Sequence, residues 1–186
     1  MKNHPLKIYF QYEYKGNLVN FNTQYGVQSA KKIDTVSELI IQKVKIDKAK
    51  NVFIANAGYG SFGIPLALKH PKVSFELTDR DFINVGLIKE NIFANKLTNC
   101  TAYLSDGAEQ ARSQDFDLII LNYNQQFGKE WFERFLSRAE MLLSKDGKLV
   151  VAVHKSIKEF AKRLIQEKFG QYEKIFHDNS YYILSN

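Results

Sequence analysis

Between residues 51 and 186, short apolar runs alternate with segments whose apolar residues recur every three or four positions, and that alternation leaves few folds open. Val52-Phe53-Ile54-Ala55, Val73 to Leu77 with its end at Thr78-Asp79, Thr101 to Leu104, Phe116 to Leu121 and Lys148 to Val153 read as strands. Ile64 to Lys69, Asp81 to Asn95, Trp131 to Leu143 and Ile157 to Phe169 read as helices. His70-Pro71 closes the first of these helices, and Ser144-Lys145-Asp146-Gly147 stops the third. The second is expected to bury Val85, Ile88, Ile92 and Phe93 on one face. Strands alternating with helices imply a parallel sheet covered on both sides, joined by right-handed crossovers. Phe116-Asp117-Leu118-Ile119-Ile120-Leu121 is the most apolar strand and belongs mid-sheet. Tyr172 to Phe176 and Tyr181 to Leu184, on either side of Asp178-Asn179-Ser180, close the chain as antiparallel edge strands, with Tyr181-Tyr182 an edge-strand pair.

Ahead of this region, Ile8, Phe10, Tyr12 and Tyr14 alternate up to Lys15-Gly16-Asn17, and Leu18-Val19 with Phe21 follows, the pattern of a β-hairpin. Residues 22–26 read as a loop, and Ile33, Val36, Leu39, Ile40 and Val44 as a helix. A chain of 186 residues suits one domain, here a hairpin and helix over 1–50 and an α/β core over 51–186. Cys100 is the only cysteine, so no internal disulfide forms, and four scattered histidines offer no zinc-site spacing. Residues 1–6 lack a signal-peptide run, and no stretch reaches the roughly 18 apolar residues of a membrane span. A soluble cytoplasmic protein, monomer or weak dimer, without metal or membrane, is expected. The net charge of +6 favours a polyanionic partner if the basic residues share a face, and a solvated basic surface otherwise.

The chemistry concentrates at the carboxyl ends of the expected strands. Gly58-Tyr59-Gly60-Ser61-Phe62-Gly63 follows a strand and opens a helix, where glycines let a backbone approach a ligand. Asp79 stands 21 residues after Gly58 at the end of the next strand, where a carboxylate can accept bonds from ribose hydroxyls. Arg80 follows it. Ser105-Asp106-Gly107 ends the third strand, where a side chain can bond an adenine amino group, and Asn122-Tyr123-Asn124 ends the fourth. A nucleoside-containing ligand touching all of them is the functional expectation. The structural alternative is a tight glycine turn with Asp79 capping a helix.

These residues resemble the class I S-adenosylmethionine (SAM) methyltransferases of the methyltransferase small domain group, over roughly residues 20–186. Tyr25-Gly26-Val27-Gln28-Ser29-Ala30-Lys31-Lys32-Ile33-Asp34 is similar to the group's Gly-Val-Phe-Ser…Ile/Leu-Asp element, and Ala57-Gly58-Tyr59-Gly60 to its Cys-Gly-Tyr-Gly segment. Asp79 matches its ribose-binding acid, Ser105-Asp106 its adenine-side pair, and Phe116 to Asn122 the approach to its catalytic motif. The resemblance implies a Rossmann-like α/β fold with SAM as cofactor. Asn56, Ala57, Gly58, Tyr59, Gly60, Asp79, Arg80, Ser105, Asp106, Gly107 and Asn122 would bind that cofactor, and the acceptor would be an exocyclic amine of an RNA base. Three departures stand out: Ile54 where the group carries an acid, Asn56 where it carries glycine, and Asn122-Tyr123-Asn124-Gln125 where it carries Asn-Pro-Pro and an apolar or aromatic residue.

Asn122 and Tyr123 are the catalytic candidates. The Asn122 amide oxygen and the Tyr123 carbonyl would accept hydrogen bonds from an exocyclic NH2 and aim its lone pair at the methyl group. Tyr123 or Phe127 would stack on an extruded base, or else pack in the core. Lys31-Lys32, the lysines at 43, 45, 48 and 50, and those of the last helix form an RNA track or a solvated surface. The functional expectation is a methyltransferase acting on guanine N2 of ribosomal or other structured RNA. Its competitors are a degenerate relative that binds RNA or a protein without turnover, and a nicotinamide-dinucleotide site.

Overall fold

The structure, a computed structural model, describes residues 6–186; the reading of the first five residues lies outside them. Strands β1 (Lys7–Tyr14) and β2 (Asn17–Gln24) pair antiparallel about Lys15-Gly16, both at positive φ as a tight two-residue hairpin turn requires. Residues 22–24, expected in a loop, extend β2 because they pair with Tyr9, Ile8 and Lys7 and bury Thr23 completely. Asp34 accepts the Ser37 amide at 2.9 Å and so caps α1 (Thr35–Lys43).

The main sheet comprises β3 (Asn51–Ala55), β4 (Ser74–Asp79), β5 (Cys100–Leu104), β6 (Phe116–Asn122), β7 (Leu143–His154), β8 (Glu173–His177) and β9 (Tyr181–Ser185), in the order β5-β4-β3-β6-β7-β9-β8. The first five are parallel, and β9 runs antiparallel to both β7 and β8. Helices α2 (Gly63–Lys69), α3 (Phe82–Ala94), α4 (Lys129–Leu142) and α5 (Lys158–Phe169) connect them. This is the expected seven-stranded α/β architecture, with β6 at its centre. Tyr181-Tyr182, expected on an edge strand, instead sits inside the sheet, because β9 inserts between β7 and β8 and leaves β8 at the edge. β7 also begins earlier than expected: Ser144 to Gly147 continue the strand after Leu143 pairs with Phe116, with a register irregularity in β6 between Phe116 and Leu118.

Alternate residues of β3 enter two cores. Val52 and Ile54 join Phe62, Ile64, Ile88 and Ile120 on the side of the hairpin and α1 to α3. Phe53 and Ala55 join Ile119, Phe132, Leu149 and Ile165 under α4 and α5. Both faces of the central strands are therefore dry, which explains their unbroken apolar sequences.

α3 presents an unexpected face. Phe93, expected in the core, is 86% exposed, whereas Asn91 is fully buried. Asn91 accepts the Asn22 amide at 2.6 Å and donates to the Asn22 carbonyl at 3.1 Å; one turn on, Asn95 does the same for Asn20 at 2.9 and 2.7 Å. Two side-chain amides thus stand in for a neighbouring strand and satisfy the free edge of β2. Among the described residues, no helix is long and apolar enough to cross a membrane, and no group of His, Cys, Asp and Glu could hold a metal ion.

Candidate functional site

Strand order reverses at the β3–β6 pair: the chain builds outward from β3 to β5, then returns to place β6 on the other side. Crevices in open α/β sheets lie at the carboxyl ends of strands at such a point. Here a cleft of about 660 Å³ opens among residues following β3, β4, β6 and β7.

The turn after β3 explains one departure noted in the sequence. Asn56 has φ +54°, the left-handed region in which glycine is easiest and asparagine is among the best-tolerated alternatives. The two leading glycines do different work. Gly58, at φ +58°, has open space where a side chain would stand and borders the cleft. Gly60, at φ +90°, is buried, and a Cβ there would meet Ile64 at 2.7 Å, so it serves helix packing. The Gly58 amide donates to Asp79 Oδ2 at 2.8 Å, tying β3 to β4.

Asp79 is 6% exposed and also accepts, on Oδ1, the Asp81 amide at 2.9 Å and the Asn84 side chain at 3.2 Å. Burial pushes its pKa up against these stabilising bonds. A carboxylate has about four lone-pair sites. The three bonds leave room on Oδ2 for one more donor from the cleft.

After β6, the Asn122 side chain makes no hydrogen bond among the described residues; its backbone carbonyl receives the Asn56 Nδ2 at 3.5 Å. The Tyr123 amide donates to the Ala152 carbonyl at 2.9 Å, and among the described residues the Tyr123 carbonyl accepts no hydrogen bond. The Tyr123 ring is buried, stacked on Phe132 at 4.3 Å, and its hydroxyl donates to the Gly128 carbonyl at 3.0 Å. Tyr123 therefore packs in the core, and of the two aromatics weighed for base stacking only Phe127 is half-buried at the cleft. The Arg80 guanidinium lies 5.1 Å from the Phe127 ring centre, a cation–π contact across the cleft.

Of the residues singled out in the sequence, Asn56, Ala57, Gly58, Tyr59, Asp79, Arg80, Asn122 and Tyr123 line this cleft. Gly60, Ser105, Asp106 and Gly107 do not. The Ser105 hydroxyl donates to the Gly107 carbonyl at 2.9 Å, and Asp106 Oδ1 accepts the Trp131 indole N–H at 2.7 Å, while among the described residues its Oδ2 accepts no hydrogen bond. The sequence reading named Tyr181 only as an edge-strand residue and Asn84 not at all, and the place of both at the cleft depends on bonds and pairings made in three dimensions. Asp34 was visible only within the Gly26-to-Asp34 element; its carboxylate accepts from the Ser37 hydroxyl, which lies 2.7 Å from that of Ser61 on the glycine turn. Tyr59 secures the same element by donating to the Ser29 and Lys32 carbonyls.

The methyltransferase small domain family model matches residues 18–185. The chain belongs to that family. Members of this methyltransferase family use SAM. The T. thermophilus 16S rRNA N2 G1207 methyltransferase, solved with AdoMet and guanosine, is similar at a TM-score of 0.83 and 24% identity, over 97% of this chain and 50% of that one. This chain thus spans half the length of that enzyme. A Geobacter metallireducens precorrin-6y C5,15-methyltransferase has TM-score 0.70 and 15% identity, over 89% of this chain and 92% of that one. A ribosomal protein L11 methylase from Lactobacillus delbrueckii subsp. bulgaricus has TM-score 0.64 and 15% identity, over 81% of this chain and 76% of that one. Their names point to three different acceptors, so the methyltransferase fold alone does not choose one. The donor set fits the family's cofactor: the free site on Asp79 Oδ2 suits a ribose hydroxyl, and the open space at Gly58 admits close approach of a ligand.

Proposed function

We infer that this methyltransferase-family protein transfers a methyl group from SAM to the exocyclic amine of a nucleobase, guanine N2 in ribosomal or other structured RNA. The observation that carries this reading is the pair of unpartnered acceptors at the cleft, the Asn122 side chain and the Tyr123 carbonyl. Two acceptors on consecutive residues would suit the two N–H bonds of an NH2 group, and holding those bonds would turn the nitrogen lone pair out of the base plane. SAM supplies a methyl group on a sulfonium centre.

The chain's own residues orient the partners. Asp79 would take a ribose hydroxyl, the Asn56-to-Tyr59 turn would lie along the rest of the ligand, and Arg80 with Phe127 would flank its flat ring. Asp106, bonded to the Trp131 indole outside the cleft lining, would accept from the amino edge of that ring through Oδ2. RNA as the acceptor rests on the net charge of +6 and the guanosine-bound relative.

A second reading, a binder without turnover, is favoured by Tyr123-Asn124-Gln125 in place of Pro-Pro and an apolar or aromatic residue. Thermal shifts with SAM, S-adenosylhomocysteine and NAD, followed by transfer assays on Asn122→Ala, separate these readings. Stabilisation by the first two ligands with transfer lost in the variant supports catalysis. Stabilisation without transfer by the wild type supports the binder, and a shift with NAD alone overturns both.

A further inference from the structure

The cleft carries its negative charge on one wall. Its carboxylates are Asp79 and Asp81, which end and follow β4, and Asp34, coupled through Ser37 and Ser61 to the turn after β3; Arg80 stands among them. Among the described residues, β6, β7, β9 and the loops after them bring no carboxylate to the lining and one basic side chain, His154. An anion is therefore repelled from the β4 wall and admitted along the β7 wall.

His154 shares a sheet face with Asn122. Ile120 of β6, Ala152 of β7 and Ile183 of β9 all enter the core on the hairpin side, so side-chain alternation carries Asn122, His154 and Tyr181 to that same face at the strand ends. Asn122 pairs with Ala152, and His154 lies two residues on. Strands about 4.8 Å apart that rise about 3.3 Å per residue then set the Asn122 and His154 backbones about 8 Å apart. A nucleotide covers such a span between its base and its phosphate.

The His154 ring is held by one nitrogen and leaves the other open. Nδ1 accepts the Ser156 amide at 3.3 Å and starts the 3-10 turn over Lys155–Ile157, and Ser156 Oγ lies 2.8 Å from Nδ1 and 3.3 Å from Gln125 Oε1. The Tyr181 ring stands edge-on to the imidazole at 5.7 Å between centres. With Nδ1 an acceptor, the neutral ring carries its proton on Nε2, and among the described residues Nε2 makes no hydrogen bond. Capping the turn needs only a short acceptor such as serine, aspartate or asparagine. The imidazole adds a donor at the exposed mouth of the cleft.

We propose that His154 binds the acceptor strand, its Nε2–H donating to a phosphate oxygen beside the guanosine whose amine meets Asn122. This inference rests on the RNA reading above and assigns the phosphate contact that positions the acceptor base. The Ser156 and Gln125 contacts then tie the phosphate site to the loop that carries the catalytic candidates.

Fluorescence anisotropy on the full chain tests it with two labelled RNA hairpins, each with a single unpaired guanosine in its loop. In the second hairpin, methylphosphonate linkages remove the charge on both sides of that guanosine. His154→Asn keeps a short acceptor for the Ser156 amide and loses only the outer donor. Loss of a hydrogen bond to a charged group predicts that His154→Asn binds the charged hairpin about tenfold more weakly than wild type. The general field of the protein acts on both chains alike, so neutralising the linkages is expected to cost His154→Asn about tenfold less affinity than it costs wild type. Wild-type affinity of His154→Asn for the charged hairpin, or an equal cost of neutralisation in the two proteins, would overturn the proposal. A wild type that binds neither hairpin instead overturns the RNA reading on which it rests.

Discussion

The Tyr123 hydroxyl donates to the Gly128 carbonyl oxygen at 3.0 Å and closes the loop that carries Asn122 and Phe127. Within that loop, Asn124 Oδ1 accepts the Gln126 amide at 3.0 Å and starts a 3-10 turn over Gln125–Phe127. These bonds supply by side-chain pinning the stiffness that consecutive prolines would supply by restricting φ.

Tyr123→Phe keeps the ring stacked on Phe132 and removes only the pin. A stability loss of about 1 kcal/mol or less is expected from one part-buried hydrogen bond, together with slower methyl transfer at unchanged SAM affinity. Chemical denaturation and single-turnover kinetics measure both. Unchanged transfer would show that the loop is held by other means.

Gly60 and Gly58 are expected to separate folding from binding. At Gly60 the added Cβ would meet Ile64 at 2.7 Å on a positive-φ backbone, so Gly60→Ala should cost about 2–3 kcal/mol from strain and overpacking. At Gly58 no atom lies within 4 Å of the added Cβ. Gly58→Ala should therefore cost only the backbone strain of about 1 kcal/mol while weakening ligand binding. Thermal melts with and without S-adenosylhomocysteine report both effects.

Asp79 should impose a pH dependence of definite sign. Burial raises its folded-state pKa, so the folded protein holds this proton more tightly than the unfolded chain. Its contribution to stability is fully present below the unfolded value of about 3.9 and is lost as pH rises through the raised folded value. Asp79→Asn lacks that decline, although it loses stability overall because an amide cannot accept all three bonds. The ionised form is the better acceptor for a ribose hydroxyl, so wild-type affinity for S-adenosylhomocysteine is expected to climb over the same interval while the variant stays flat. Parallel pH profiles for the two proteins would refute this.

Trp131 is the only tryptophan, and its indole donates to Asp106 while its ring lies 4.6 Å from that of Phe127. A nucleobase seated against Phe127 should shift its fluorescence. Titration with 5′-methylthioadenosine is expected to give a saturable change in wild type and a much weaker one in Phe127→Ala.

The sequence made the core of this fold legible where burial is regular. Dry strands such as Phe116 to Leu121 announce themselves, and the Gly58 turn and Asp79 were readable because strand–turn–helix punctuation placed them at strand ends. Two features escaped for a shared reason: they depend on partners distant in the chain. Local periodicity cannot show that β9 inserts beside β7. It also favoured Phe93 over Asn91 for the core, since hydropathy carries no record of a β2 edge that needs amide partners. The Tyr123–Gly128 pin is local, yet it hides in a segment that reads as a lost proline motif.

The most direct test is transfer of a labelled methyl group from SAM to RNA lacking modification, followed by nucleoside analysis. The wild type is expected to place label in N2-methylguanosine, and Asn122→Ala to place none. RNA left unlabelled by a wild type that binds SAM, label in a different nucleoside, or undiminished transfer by Asn122→Ala would contradict the assignment.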